Sequence, residues 1–244
     1  MTKAATPHAN ADGALHSWLQ AALRPGNPAA RSVRSDEDLM APEEAVMLGV
    51  DKRPPVHRAA VLVPLVDRAA PSVLLTRRAD HLSKHAGQVA FPGGRMDPED
   101  PDPVLTALRE AEEEVGLHRH DVTVCGRLDR YRTGTGFHVT PVVGVVPADR
   151  PLHLDPGEVA EAFEVPLGFL MDRSRHKRRT VAWRGRRRTF FTIDYEGRTI
   201  WGATAAMLVN LCDVLETTPR RRLGGPGAGT ASDVPGDSRG KELP

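Results

Sequence analysis

Several things are scarce in this chain, and each shortage removes a class of function. There are two cysteines among 244 residues, Cys125 and Cys212. That is too few for a disulfide framework, and both sit in apolar contexts, as core or near-core thiols do in a reducing compartment. The formal net charge is only +1, so no global field draws the chain to nucleic acid or to an anionic membrane. Aromatic residues make up 5%, and no stacking platform accompanies the arginines, which argues against RNA. No run of about 18 apolar residues occurs, and the opening MTKAATPHANADGA has no apolar h-region. Neither a membrane span nor a secretory leader is expected, and the cytoplasm is the expected compartment. With 40% hydrophobic and 27% charged residues, the chain can bury one sizeable core and carry tails.

The informative stretch runs from Gly93 to Leu117, GGRMDPEDPDPVLTALREAEEEVGL. On a helix Glu110, Glu113 and Glu114 stand at i, i+3 and i+4 and share one face. Like charges at that spacing repel, so a cation compensates them, and hard oxygen ligands suit Mg2+ or Mn2+. Leu105, Leu108 and Val115 recur on another side and are expected to face the core. Pro103 fits the first turn, Asp100 or Asp102 the cap, and Gly116 the C-terminal stop. Ahead of the helix, Phe91-Pro92-Gly93-Gly94 supplies a bend whose backbone can approach an anion closely. A glycine loop, an acidic residue and a carboxylate-lined helix, in that order, suit diphosphate chemistry. A charge run on its own is as often a solvated face.

These residues resemble the Nudix hydrolase box: G, five residues, E, seven residues, then R-E-apolar-x-E-E-x-G-apolar. Arg109 to Leu117 fits the second half position by position, with Ala111 at the apolar place. Gly94 stands one residue further from Arg109 than the general box has it, and Asp100 or Glu99 replaces the first Glu. The longer spacing is similar to the coenzyme A pyrophosphatase branch, as is Leu74-Leu75-Thr76-Arg77-Arg78 followed by Gly87 and Phe91-Pro92-Gly93-Gly94. Ala79 stands where that signature has Ser, and Ser83 where it has Arg.

The resemblance implies a Nudix α/β/α sandwich with a mixed β-sheet. It also implies a metal-dependent pyrophosphatase that splits coenzyme A or its thioesters into 3′,5′-ADP and 4′-phosphopantetheine or its acyl form. The implied metal ligands for Mg2+ or Mn2+ are Glu110, Glu113 and Glu114. Arg109 would orient a carboxylate, and Glu114 or Glu158 would be the general base. Gly93, Gly94 and Lys84 would meet the substrate, a small-molecule nucleotide diphosphate. Glu112 falls off the metal face and is expected in solvent. The rival readings are hydrolysis of another nucleotide diphosphate, such as ADP-ribose or a dinucleotide, and a non-catalytic ligand-sensing module. A homodimer is compatible with the family.

In chain order, residues 1–12 are expected to be disordered and 13–56 to form a helical extension and linker. A helix is expected from Leu15 to Leu23, and a second near Pro42 to Leu48. The catalytic domain is expected over 57–216 and a disordered tail over 217–244. Ala59 to Val66 reads as a strand in which Pro64 marks an irregularity or an edge. Ser72 to Arg77 returns as a hairpin, and Val122 to Arg132 and Thr140 to Val146 read as strands. Glu158 to Leu167 resembles the family's segment in which a strand leads into a short helix. Residues 179–195 form a hairpin turning at Arg184-Gly185, and Ala203 to Leu215 an amphipathic helix. The dense basic run from Arg173 to Arg188 is either a solvated surface or a dock for an anionic nucleotide. His85 and His138 lie in segments expected to face the substrate.

Overall fold

The computed structural model of the chain describes residues 12–24, 27, 33–35, 57–83, 85–183 and 186–218. The expected helix near Pro42 to Leu48, Lys84, the turn at Arg184-Gly185 and the far tail lie outside the described residues. In order come α1 (Asp12–Ala22), β1 (Val33–Ser35), β2 (His57–Asp67), β3 (Ser72–Arg78), β4 (Val89–Ala90) and β5 (Gly93–Arg95). Then follow α2 (Pro103–Val115), β6 (Thr123–Arg127), β7 (Arg130–Arg132), β8 (Phe137–Pro147) and β9 (Val159–Pro166). The last elements are α3 (Leu167–Leu170), β10 (Lys177–Trp183), β11 (Arg186–Tyr195), β12 (Arg198–Trp201) and α4 (Gly202–Glu216).

A mixed sheet runs in the order β1-β7-β8-β2-β3-β4, with β5 on β2, β6 on β8 and β9 on β3; β10, β11 and β12 form a second, smaller sheet. The strand β2 lies parallel to β8 along its whole length. Its other side is shared by β5, at Ala59 to Val61, and by β3, at Leu65 and Val66. Pro64, which lacks an N–H, falls in the gap between them. The strand itself is unbroken and central, neither irregular nor an edge; what changes at Pro64 is the neighbour on one side.

Alternation along β2 sends Ala60, Leu62 and Val66 to one core with Ala107, Leu108, Ala111 and Val115 of α2. Ala59, Val63 and Leu65 go to the other core, with α1 and α4. Helices thus cover both faces of a mixed sheet, the α/β/α sandwich expected. On α2 the inward stripe is Ala107, Leu108, Ala111 and Val115; Leu105, expected inside, is 38% exposed. The stretch expected as one strand from Val122 to Arg132 is two, both paired with β8 but in registers one residue apart: Arg127 faces Val142 and Tyr131 faces Val139. The N-terminal helix is integral to the core, since Leu15, Leu19 and Ala22 are fully buried. Burying one leucine contributes about 1.5–3 kcal/mol.

Candidate active site

The helix α2 is positioned by its ends. The Asp102 carboxylate accepts from the N–H groups of Val104 (2.6 Å) and Leu105 (3.2 Å), and Pro103 occupies the first turn. Such a cap is worth about 1 kcal/mol. At the far end Gly116 adopts φ 69°, and its N–H reaches back to the Glu112 carbonyl at 3.0 Å, a left-handed glycine cap. A side chain at Gly116 would also strike His153. The 153–159 segment is laid across this end of α2: His153 N–H donates to Val115 O and Asp155 N–H to Glu114 O. That crossing brings Glu158 to the carboxylates of α2.

The loop of Phe91 to Gly94 fixes the other wall. Phe91 is buried, and the Pro92 carbonyl accepts from Leu62 N–H at 2.9 Å. Gly93 has φ 153°, and a Cβ there would lie 2.5 Å from the Ala60 carbonyl oxygen. A Cβ on Gly94 would collide with the Glu110 carboxylate. Gly93 is therefore required by the backbone packed against it, whereas a side chain at Gly94 would displace the Glu110 carboxylate. The N–H of Gly93 donates to Glu114 Oε2 at 3.1 Å, so in this state it serves the carboxylate.

Arg109 is the hub beneath. It grips Asp100 with two bonds, Nε to Oδ1 at 3.3 Å and Nη2 to Oδ2 at 3.0 Å. The same guanidinium lies 2.9 Å from Glu110 Oε1, 3.0 Å from Glu113 Oε2 and 3.4 Å from Asp97 Oδ2. This pairing holds the Asp100 carboxyl down to about 2. Glu110 is pushed up, by burial first, with Arg109 opposing and Glu113 and Glu158 adding repulsion. Glu114, 4% exposed, is pushed up to about 7: burial dominates, Glu158 and Glu110 repel, and the Gly93 N–H and Arg78 only partly offset them. Glu113 stands at the rim, its side chain 59% exposed.

Arg78 was not among the residues singled out for a role, and it comes within 3.7 Å of Glu114 Oε1. Alternation along β3 carries the signal: Leu74 faces the α2 core, so Thr76 and Arg78 share that side. Glu112 is off the carboxylate face as expected but is half-buried, clasped by His118 (2.8 Å) and Arg119 (2.9 Å). His85 bonds to Gln88 in an exposed turn. Buried His138 Nε2 has no partner among the described residues. Three cations at the start of the basic run form ion pairs: Arg173 with Asp213 and Glu216, Arg175 with Asp172, Lys177 with Asp194.

Among the described residues no three carboxylate, histidine or cysteine side chains are already gathered into an ion cage. The site nevertheless fits a divalent cation. Carboxylates of Asp97, Asp100, Glu110 and Glu113 converge on Arg109 and that of Glu114 on Arg78, while Glu158 adds repulsion at Glu110 and Glu114. Glu110 and Glu114, whose carboxyls burial pushes up, resist ionisation until positive charge arrives.

A NUDIX domain family model matches residues 56–183. Relatives named "Uncharacterized Nudix hydrolase NudL", from Yersinia pestis (strain Pestoides F) and Yersinia pseudotuberculosis serotype O:1b (strain IP 31758), are each 48% identical over 155 residues, 64% of this chain and 78% of theirs. Among solved structures, the M. Smegmatis Nudix hydrolase RenU is similar at 23% identity and a TM-score of 0.44, over 67% of this chain and 88% of that one. A C. elegans Ap4A hydrolase binary complex is similar at 20% identity and a TM-score of 0.38, over 45% of this chain and 80% of that one.

Proposed function

The chain belongs to the Nudix family and is a hydrolase acting on pyrophosphate bonds, and from that premise we propose that its substrate is coenzyme A or a coenzyme A thioester. The products are then 3′,5′-ADP and 4′-phosphopantetheine or its acyl form. The carrying observation is the upstream signature and where it lies. Gly87 N–H donates to the Arg78 carbonyl at 3.1 Å, Thr76 Oγ donates to the Ala90 carbonyl at 3.2 Å, and Arg78 and Gly93 both reach Glu114. The signature residues thus form one packed unit against the carboxylates.

Nudix hydrolases generally use divalent metal ions. Here Mg2+ or Mn2+ would be held by Glu110 and Glu114 with Glu113 sharing, offsetting charge on the diphosphate oxygens and acidifying the attacking water. Arg109 orients Glu110 and Glu113 and is itself fixed by Asp100. The Gly93 N–H and Arg78 hold the Glu114 carboxylate in one orientation. Glu158, brought in by the segment crossing α2, is the carboxylate left to take the proton from water if Glu114 is engaged as a ligand; Glu114 is the alternative base.

The test compares kcat/KM for coenzyme A, 3′-dephospho-coenzyme A and ADP-ribose with Mg2+ and with Mn2+, with products identified by mass. Coenzyme A is expected to lead. If ADP-ribose leads, the coenzyme A assignment fails and the general pyrophosphatase reading stands alone.

A further inference from the structure

On the face of the sheet opposite the catalytic carboxylates, beside α4, lies a cavity of about 560 Å3. That is ample for a small molecule, since ligand sites run from roughly 300 to 1,000 Å3. Its walls come from separate parts of the chain: Arg34 on β1, Tyr131 on β7, Asp213 on α4, Arg173 in the turn after α3, Arg178 on β10 and Phe191 on β11. Three guanidiniums therefore face one carboxylate. Arg34 Nη1 and Arg173 Nη2 each lie 2.8 Å from Asp213. Behind the wall, Arg34 Nε is 3.1 Å from Asp129 and Arg173 Nη2 is 2.6 Å from Glu216. These outer partners hold both arginines in place, and among the described residues three carboxylates stand against the three guanidiniums.

Arg178 is held differently. Its guanidinium rests 5.3 Å from the centroid of the Phe191 ring, directly across the β10–β11 pairing. It is exposed, so it can leave the ring at little cost. The charge balance means that a small inorganic anion gains little here. An organic anion with a flat body gains twice: the body replaces the guanidinium on the Phe191 face, and Arg178 swings to the anionic group alongside Arg34 and Arg173. Hydrolysis of a diphosphate linkage between two moieties leaves a phosphomonoester on each, so ligands of this class are made by the enzyme itself.

We propose that this cavity is a second, non-catalytic site that binds a nucleoside monophosphate, its phosphate on the Arg34, Arg173 and Arg178 guanidiniums and its base on Phe191. The site stands on its own lining and does not depend on which pyrophosphate substrate is cut.

The experiment is calorimetric titration of AMP, adenosine and inorganic phosphate into the full chain in the presence of chelator. The native protein is compared with Glu114→Gln, Arg178→Ala and Val209→Phe, which fills the cavity from a residue of α4 that lines it. Native and Glu114→Gln proteins are expected to bind AMP alike, with adenosine and phosphate each weaker. Arg178→Ala should weaken AMP by about tenfold or more, the scale of one charge-assisted contact. Val209→Phe should remove binding. Should it fail to fold, the exposed Arg178 substitution still decides. The proposal is overturned if AMP does not saturate at millimolar concentration, or if Arg178→Ala binds as the native protein does. It is equally overturned if phosphate matches AMP, or if only Glu114→Gln loses binding, which would place AMP among the carboxylates.

Discussion

Replacing Glu114 by Gln should make the metal-free protein more stable while making the enzyme nearly inactive. The folded carboxyl is pushed from its ordinary 4.5 to about 7. A carboxyl raised on folding binds its proton more tightly in the native state. Its stabilising contribution is complete below the unfolded value and is lost as pH rises from about 4.5 towards 7. At 1.36 kcal/mol per pH unit, ionising Glu114 in place costs about 3 kcal/mol at pH 8 and about 1 kcal/mol at pH 5. Gln carries no charge to bury, and its amide oxygen can still accept the Gly93 N–H. In chelator at pH 8 the variant should melt about 6–12 °C above the native protein, taking about 2–4 °C per kcal/mol for a chain of this size. At pH 5 most of that gap should close, and saturating Mg2+ at pH 8 should narrow it by stabilising the native protein alone. Thermal melts followed by circular dichroism read all three. A variant no more stable than native at pH 8, or one equally stabilised at both pH values, would refute the argument that Glu114 is a buried charge waiting for a cation.

Arg109→Lys keeps the charge but loses the two-point grip on Asp100, so kcat should fall at least about tenfold with little change in KM; steady-state kinetics check this. Gly94→Ala drives a methyl group into the Glu110 carboxylate, and both metal affinity and turnover should drop by about a hundredfold, as measured by titration calorimetry and product assay. Removing residues 1–35 should lower the melting temperature sharply, because Leu15 and Leu19 leave the core. Removing residues 220–244 should leave melting and turnover unchanged, since that segment lacks apolar periodicity.

What the sequence made legible follows from the range of the signal. The box helix was readable to its caps because Asp102, Pro103 and Gly116 act within one turn of their own positions. The strand β2 was legible as a continuous apolar run, β3 as its hairpin return, the β10–β11 pair as a hairpin, and β9 through resemblance to the family's segment. The inward stripe of α2 was misread at Leu105 because Ala107 and Ala111 carry the packing, and small side chains are faint in a pattern weighted by bulk. The break after Arg127 was hidden, since it lies in a one-residue change of register against β8, which only the pairing reveals. Arg109 was read as a carboxylate clamp, but its hold on Asp100, Glu110 and Glu113 together depends on a loop folding back. Nothing local told that α1 packs into the same core as α4, or that Arg34 and Arg173 meet across Asp213.

The central claim is that the α2 carboxylates are the pyrophosphatase centre and that coenzyme A is what they cut. The most direct measurement is mass-resolved turnover of coenzyme A with Mg2+ by the native, Glu110→Gln and Glu114→Gln proteins. The account predicts 3′,5′-ADP and 4′-phosphopantetheine from the native enzyme and a loss of several orders of magnitude in both folded variants. Near-native turnover in both variants at full metal occupancy, or no cleavage of coenzyme A by the native protein, would contradict it.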